Sequence, residues 1–190
     1  MKNVLPIIFS IVTLICLFNP KIRVIKIISG HFSTFKNDNK NRISPYDYIT
    51  FLIVPLIAAI LITFKFKIMI EDISVLLTVF SIFAALLFNF LMLIIQAKDN
   101  AILKEQNSKY EFDKDKYMQC INQTYYNVSF ANLLSVFIII LLWITSMLTC
   151  SEGILYEIII TIIWFSMIMF FLDLIMILKR IFAIYNIDEK

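Results

Sequence analysis
Long apolar stretches alternate with short charged ones along this chain. Predominantly apolar runs occupy residues 4–18, 48–64, 73–97, 130–149 and 154–178, and the longest polar piece between them is residues 98–129. A helix needs roughly 20 apolar residues to cross a hydrocarbon core of ~30 Å, so the last four runs predict transmembrane helices. Residues 4–18 supply only ~22 Å of helix and predict a short N-terminal apolar helix, with a full crossing left open. The expected class is an all-α, polytopic integral membrane protein forming one membrane domain, residues 1–190, assembled as a symmetric homo-oligomer.

Composition strengthens this. The chain is 61% hydrophobic and 16% charged, against about 45–50% and about 25% for soluble domains. No polar piece is long enough for an independent soluble domain, which excludes a catalytic, nucleotide-binding or nucleic-acid-reading domain. Lys2 and the run from Val4 to Phe18 have the outline of a signal peptide, but Asn19, Pro20 and Lys21 lack the small-residue cleavage pattern. The segment is expected to stay in the mature chain.

Basic residues orient the helices. With five crossings, the piece 19–47, the link 98–129 and the tail together hold 14 of the 17 Lys and Arg residues, and the positive-inside rule makes that face cytoplasmic. The C-terminus is then cytoplasmic. Ser44, Pro45 and Asp47 read as an N-cap, a first-turn proline and a first-turn acid, so a crossing should begin there. Pro55 should kink that helix near its middle, and Ala58 and Ala59 allow a neighbour to approach closely.

The run 73–97 carries the most informative pattern. Ser74, Thr78, Ser81, Ala85, Asn89, Met92 and Gln96 recur at steps of three and four and share one narrow stripe. In lipid an unpaired polar group costs several kcal/mol. The stripe therefore faces either another helix, as a seam joined by hydrogen bonds, or water, as a pore wall built by copies around an axis. Asn89 has the most hydrogen-bonding valences to place. Glu152 and Glu157 lie at the short outer hairpin, where a ring of them would concentrate cations at a mouth. Asp173 lies deeper and shares a face with Ser166, Met169, Met176 and Arg180. Arg180 or a basic residue of a neighbouring helix would compensate it in a structural salt link, with conduction or gating as the alternative role.

The cytoplasmic pieces differ in charge. Residues 98–127 balance five lysines against five acids, with Tyr110, Tyr117, Ile121 and Tyr125 spaced for one helical face. Residues 19–42 hold Lys21, Arg23, Lys26, Lys36, Lys40 and Arg42 against Asp38 alone, with Ile22, Ile25, Ile28, Phe32 and Phe35 at near-helical spacing. Such a stretch lies on anionic membrane lipid or, as a basic ring in an oligomer, holds a nucleotide or single-stranded nucleic acid.

Other chemistry is thin. Cys16, Cys120 and Cys150 are too far apart for a short-spaced metal cluster, and His31 is the only histidine. With two glycines, Gly30 and Gly153, there is no nucleotide-binding loop. Neither a metal nor another cofactor is expected, and an enzyme is disfavoured for want of a paired acid or a reactive serine motif. Asn122 and Asn127 open glycosylation sequons on the side assigned to the cytoplasm, and are read as chance matches.

The run from Ser81 to Asn89, followed by a charged helical link and Tyr125 to Phe130, resembles small multi-span membrane effectors of bacterial anti-phage defence, nearest the Hailong system membrane effector. The Kiwa membrane protein is a second family of this kind. The resemblance spans residues 74–150. It implies a homo-oligomeric ion channel, a tetramer, that depolarises the bacterial inner membrane in abortive infection. It also implies a nucleotidyltransferase partner whose single-stranded oligonucleotide product acts as inhibitor or activator. The alternative is a non-conducting membrane sensor or anchor that recruits a cytoplasmic protein through residues 98–127.

Overall fold
The computed structural model describes residues 23–35, 46, 49–65, 70–107, 114–148 and 153–188, which are helical apart from short turns and contain no strand. Helix α1 spans Val24–Ser33. A π-helical turn, Ile49–Ile53, leads into α2, Val54–Lys65. Three long helices follow: α3, Ile70–Asn107, α4, Lys114–Leu148, and α5, Ile154–Asp188. The N-terminal apolar run and Ser44, Pro45 and Asp47 lie outside the described residues.

Three segments are long and apolar enough to cross a membrane: Asp72–Ile102, Lys116–Met147 and Tyr156–Tyr185. They contain or overlap the runs 73–97, 130–149 and 154–178. The run 48–64 corresponds to Ile49–Lys65, a shorter apolar segment. Its irregularity lies before Pro55 and not at mid-helix. Proline lacks an N–H and its ring crowds the carbonyl four residues back, here that of Phe51. Widening the turn that contains Phe51 into a π-helix accommodates the ring, and α2 then runs regularly to Lys65.

Helix α4 is the centre of the bundle, with α3 against one flank, α5 against another and α1 across its N-terminal half; α2 packs on α5. The arrangement follows from seven-residue spacing. On α3, Ile73, Phe80, Leu87, Ile94 and Ala101 recur every seventh residue and are the buried positions. On α4, Tyr117, Ile121, Thr124, Val128, Ala131, Ser135, Ile138, Leu142 and Thr145 alternate steps of four and three, and all are buried. This spacing keeps one seam facing its partner along a helix of this length. On α5, Ile160, Ile163, Met167, Phe170 and Ile177 continue the core. Phe80 and Phe83 meet Phe170 edge to face, each with ring centroids 5.3 Å apart.

Polar members of the α4 seam satisfy themselves within the helix. The hydroxyls of Thr124, Ser135 and Thr145 donate to the carbonyls of Cys120, Asn132 and Leu141 at 2.7, 2.7 and 2.8 Å. Small residues then let neighbouring helices close in. Of the face predicted from tyrosine spacing, Tyr117 and Ile121 are buried but Tyr125 is exposed, and Tyr110 lies outside the described residues. The seam passes through Thr124 and Val128 instead, because the four-three alternation steps past Tyr125.

Packing at Ala131 is tight enough to be tested. Ala131→Leu should overpack the seam and destabilise the protein by about 1–3 kcal/mol, whereas Leu86→Ala on the outward face of α3 should change stability far less. Thermal unfolding of both variants in detergent measures the contrast.

Candidate functional site
The outward face of α3 bears the polar stripe. Ser74, Thr78, Ser81, Ala85, Asn89, Met92 and Gln96 are all exposed and lie away from the row that contacts α4. No helix of the described chain covers them. Thr78 Oγ1 donates to the Ser74 carbonyl at 3.0 Å and Ser81 Oγ to the Leu77 carbonyl at 2.7 Å. The Asn89 and Gln96 carboxamides carry both donors and acceptors, so a single back-bond of this kind would leave valences open. Val75, Ile82, Leu86, Phe88 and Leu93 flank the stripe and are exposed as well.

A second polar constellation is buried where α1, α4 and α5 meet. It is centred on His31, only 1% exposed, whose Nδ1 lies 3.2 Å from Asn127 Oδ1 and 3.6 Å from Asp173 Oδ1. Since Asn127 Oδ1 can only accept, Nδ1 carries the hydrogen. Thr34 Oγ1 lies within reach of the His31 carbonyl at 2.7 Å and of Asn127 Oδ1 at 3.3 Å. Phe130 stacks on the imidazole with centroids 3.9 Å apart and planes 14° from parallel, while Phe35 and Phe32 meet it edge-on. Both Asp173 carboxyl oxygens and Asn127 Nδ2 are buried without a hydrogen-bond partner among the described residues.

Sequence pattern and structure part company in two places here. Asp173 and Arg180 both turn inward, but they form no direct ion pair. The Arg180 guanidinium donates to Gln123 Oε1 and, at 3.3 Å, to the Thr34 carbonyl. Docking of α1 puts acceptors near Arg180 and brings His31 closest to Asp173. The second difference is the face α1 uses: Val24 and His31 are buried, whereas Ile25 is 71% exposed. Gly30 explains the rotation, since a Cβ there would overlap the Tyr126 ring. Asn127, whose sequon is read as a chance match, is fully buried against His31 and so is closed to glycosylation in this fold.

His31, Asn127, Thr34 and Gln123 were not legible as site residues, although Asn127 falls one position before the α4 seam and Gly30 marks a close approach. Among the other expected residues, Arg23, Lys26 and Glu157 are exposed, while Lys21, Lys36, Lys40, Arg42 and Glu152 lie outside the described residues. Arg23 has a left-handed backbone, φ 55°, at the entry to α1. No group of three or more metal-binding side chains occurs among the described residues. Neither a protein-family model, nor a curated protein, nor a solved structure matches the chain.

Burial holds the His31 imidazole neutral, lowering its pKa from 6.5 to about 4. The Asn127 hydrogen bond pulls the other way and the Arg180 charge adds to the lowering. Unfolding lets the ring bind a proton more readily. The stability it contributes is therefore complete above pH 6.5 and is lost as pH falls toward 4. The full span corresponds to about 3 kcal/mol. The difference in unfolding free energy between parent and His31→Phe, measured across this range in detergent, should narrow by that order, and a pH-independent difference contradicts it. Gly30→Val should displace α1 by driving a branched side chain into Tyr126, exposing Thr34 and the N-terminal half of α4 to limited proteolysis.

Proposed function
We propose that the chain is a pore-forming effector of a bacterial inner membrane: a homo-oligomeric ion channel, tetrameric by resemblance, with the α3 stripe facing its axis. In this reading four helices cross, α2 and its π-helical turn making the first of them, and the C-terminus is cytoplasmic. The observation that carries the reading is the exposure of Asn89 and Gln96 on a helix whose other side is packed. Lipid offers a carboxamide no partner, so copies of α3, or water between them, must supply one. An oligomer closed around an axis meets that need for every copy at once. Its regulator would be an oligonucleotide-producing nucleotidyltransferase partner, acting at the basic segment before α2.

One observation favours the non-conducting alternative, a membrane anchor or sensor. The Thr78 and Ser81 hydroxyls already donate to their own helix, which suits a dry seam between copies as well as a wet wall. Conductance separates the two.

Membrane potential in bacterial cells inducibly expressing the parent chain, beside Asn89→Leu at equal level, is the test. Rapid depolarisation by the parent and its loss in the variant support a pore. Well-inserted parent that leaves the potential unchanged favours the anchor.

A further inference from the structure
An open-sided cleft of about 400 Å³ lies between the C-terminal end of α1 and the N-terminal half of α4. Its wall mixes Met118 and the apolar flanks of its other side chains with polar groups, and contains no acid. Gln119, Asn122 and Gln123 bring carboxamides, Tyr126 a phenol, and Ser33 and Thr34 hydroxyls. The Ser33 hydroxyl donates to the Gly30 carbonyl at 2.6 Å, and that of Thr34 stays close to the His31 carbonyl and Asn127. The Asn122 and Gln123 carboxamides and the Tyr126 phenol are therefore the groups that face a ligand.

Two cations sit behind that wall. Lys98 of α3 donates to Asn122 Oδ1 at 3.2 Å, and Arg180 of α5 donates to Gln123 Oε1. Neither forms an ion pair among the described residues; Asp173, the acid nearest Arg180, faces His31. A carboxamide whose oxygen is held by a cation keeps its NH₂ as the group left to donate. Asn122 and Gln123 thus present N–H donors, each backed by a positive charge, and such donors suit an anion with several acceptor oxygens.

Position narrows the anion further. Asn122 and Tyr126 lie about two turns and one turn before the apolar run that starts at Phe130, the depth of lipid headgroups. At the opposite end of α1, about two to three turns from the cleft, Ile25 is exposed together with Arg23 and Lys26, a surface for an anionic membrane face. We propose that the cleft binds a phosphodiester, the headgroup of an anionic phospholipid, between the Asn122 and Gln123 carboxamides with Lys98 and Arg180 supplying the charge. This goes beyond the channel reading and does not depend on it.

The full chain in detergent is titrated with phosphatidylglycerol, with phosphatidylcholine and with soluble glycerophosphoglycerol, and bound lipid is counted by native mass spectrometry alongside melting temperature. Phosphatidylglycerol should bind in preference to phosphatidylcholine and raise the melting temperature. Lys98→Gln, at a half-buried position, and Asn122→Leu, at an exposed one, should each weaken it at least fivefold while leaving the helical circular dichroism unchanged. Absence of a preference for phosphatidylglycerol, or equal retention by parent and both variants, overturns the site. Equal protection by glycerophosphoglycerol overturns the lipid as the source of the phosphodiester.

Discussion
Helix α4 depends on a single constraint: a helix packed on several sides in an apolar medium must carry its polar groups either satisfied by itself or matched by a neighbour. Its hydroxyls take the first route. Thr124, Ser135 and Thr145 turn back on their own carbonyls, so the seam behaves as apolar while staying narrow. Asn127 takes the second, because the backbone N–H groups around it are already used within the helix and its Oδ1 must find a donor elsewhere. Its Oδ1 is matched from α1 by His31 and Thr34, while its Nδ2 finds no partner among the described residues, and the match at Oδ1 anchors α1 against the long helices.

The rest of the polar end is built outward from this match. Bringing in His31 buries an imidazole among Phe32, Phe35 and Phe130, and burial keeps it uncharged. An uncharged ring can approach a carboxyl group without forming an ion pair. Arg180 accordingly finds its partners in Gln123 and the Thr34 carbonyl, neutral acceptors that α4 and α1 contribute. Gly30 makes the whole arrangement sterically possible, since only hydrogen fits against the Tyr126 ring.

Much of this architecture is written in local pattern. Runs of apolar residues mark all three long helices, and the periodicity of Ser74 to Gln96 separates that stripe from the Ile73 to Ala101 row before any contact is known. What local pattern does not encode is which helix meets which face. His31 and Asn127 are 96 positions apart, and nothing near either one announces the other. Arg180 likewise looks like a partner for Asp173 on spacing alone, and only the docking of α1 supplies the competing acceptors. Pro55 was legible as a disturbance, yet the wider turn falls at residues 49–53 because the ring crowds the carbonyl behind it.

The two rows on α3 do not run parallel. Ile73 to Ala101 repeats every seven residues, whereas Ser74, Ala85 and Gln96 repeat every eleven, and these periods wind in opposite senses around a straight helix. Between Ser74 and Gln96 the rows diverge by roughly 100°. Copies of α3 that stay bound to their own α4 along one row, and meet each other along the second, cannot stand as parallel staves. In the proposed oligomer they would splay, and the space they enclose would take the form of a funnel.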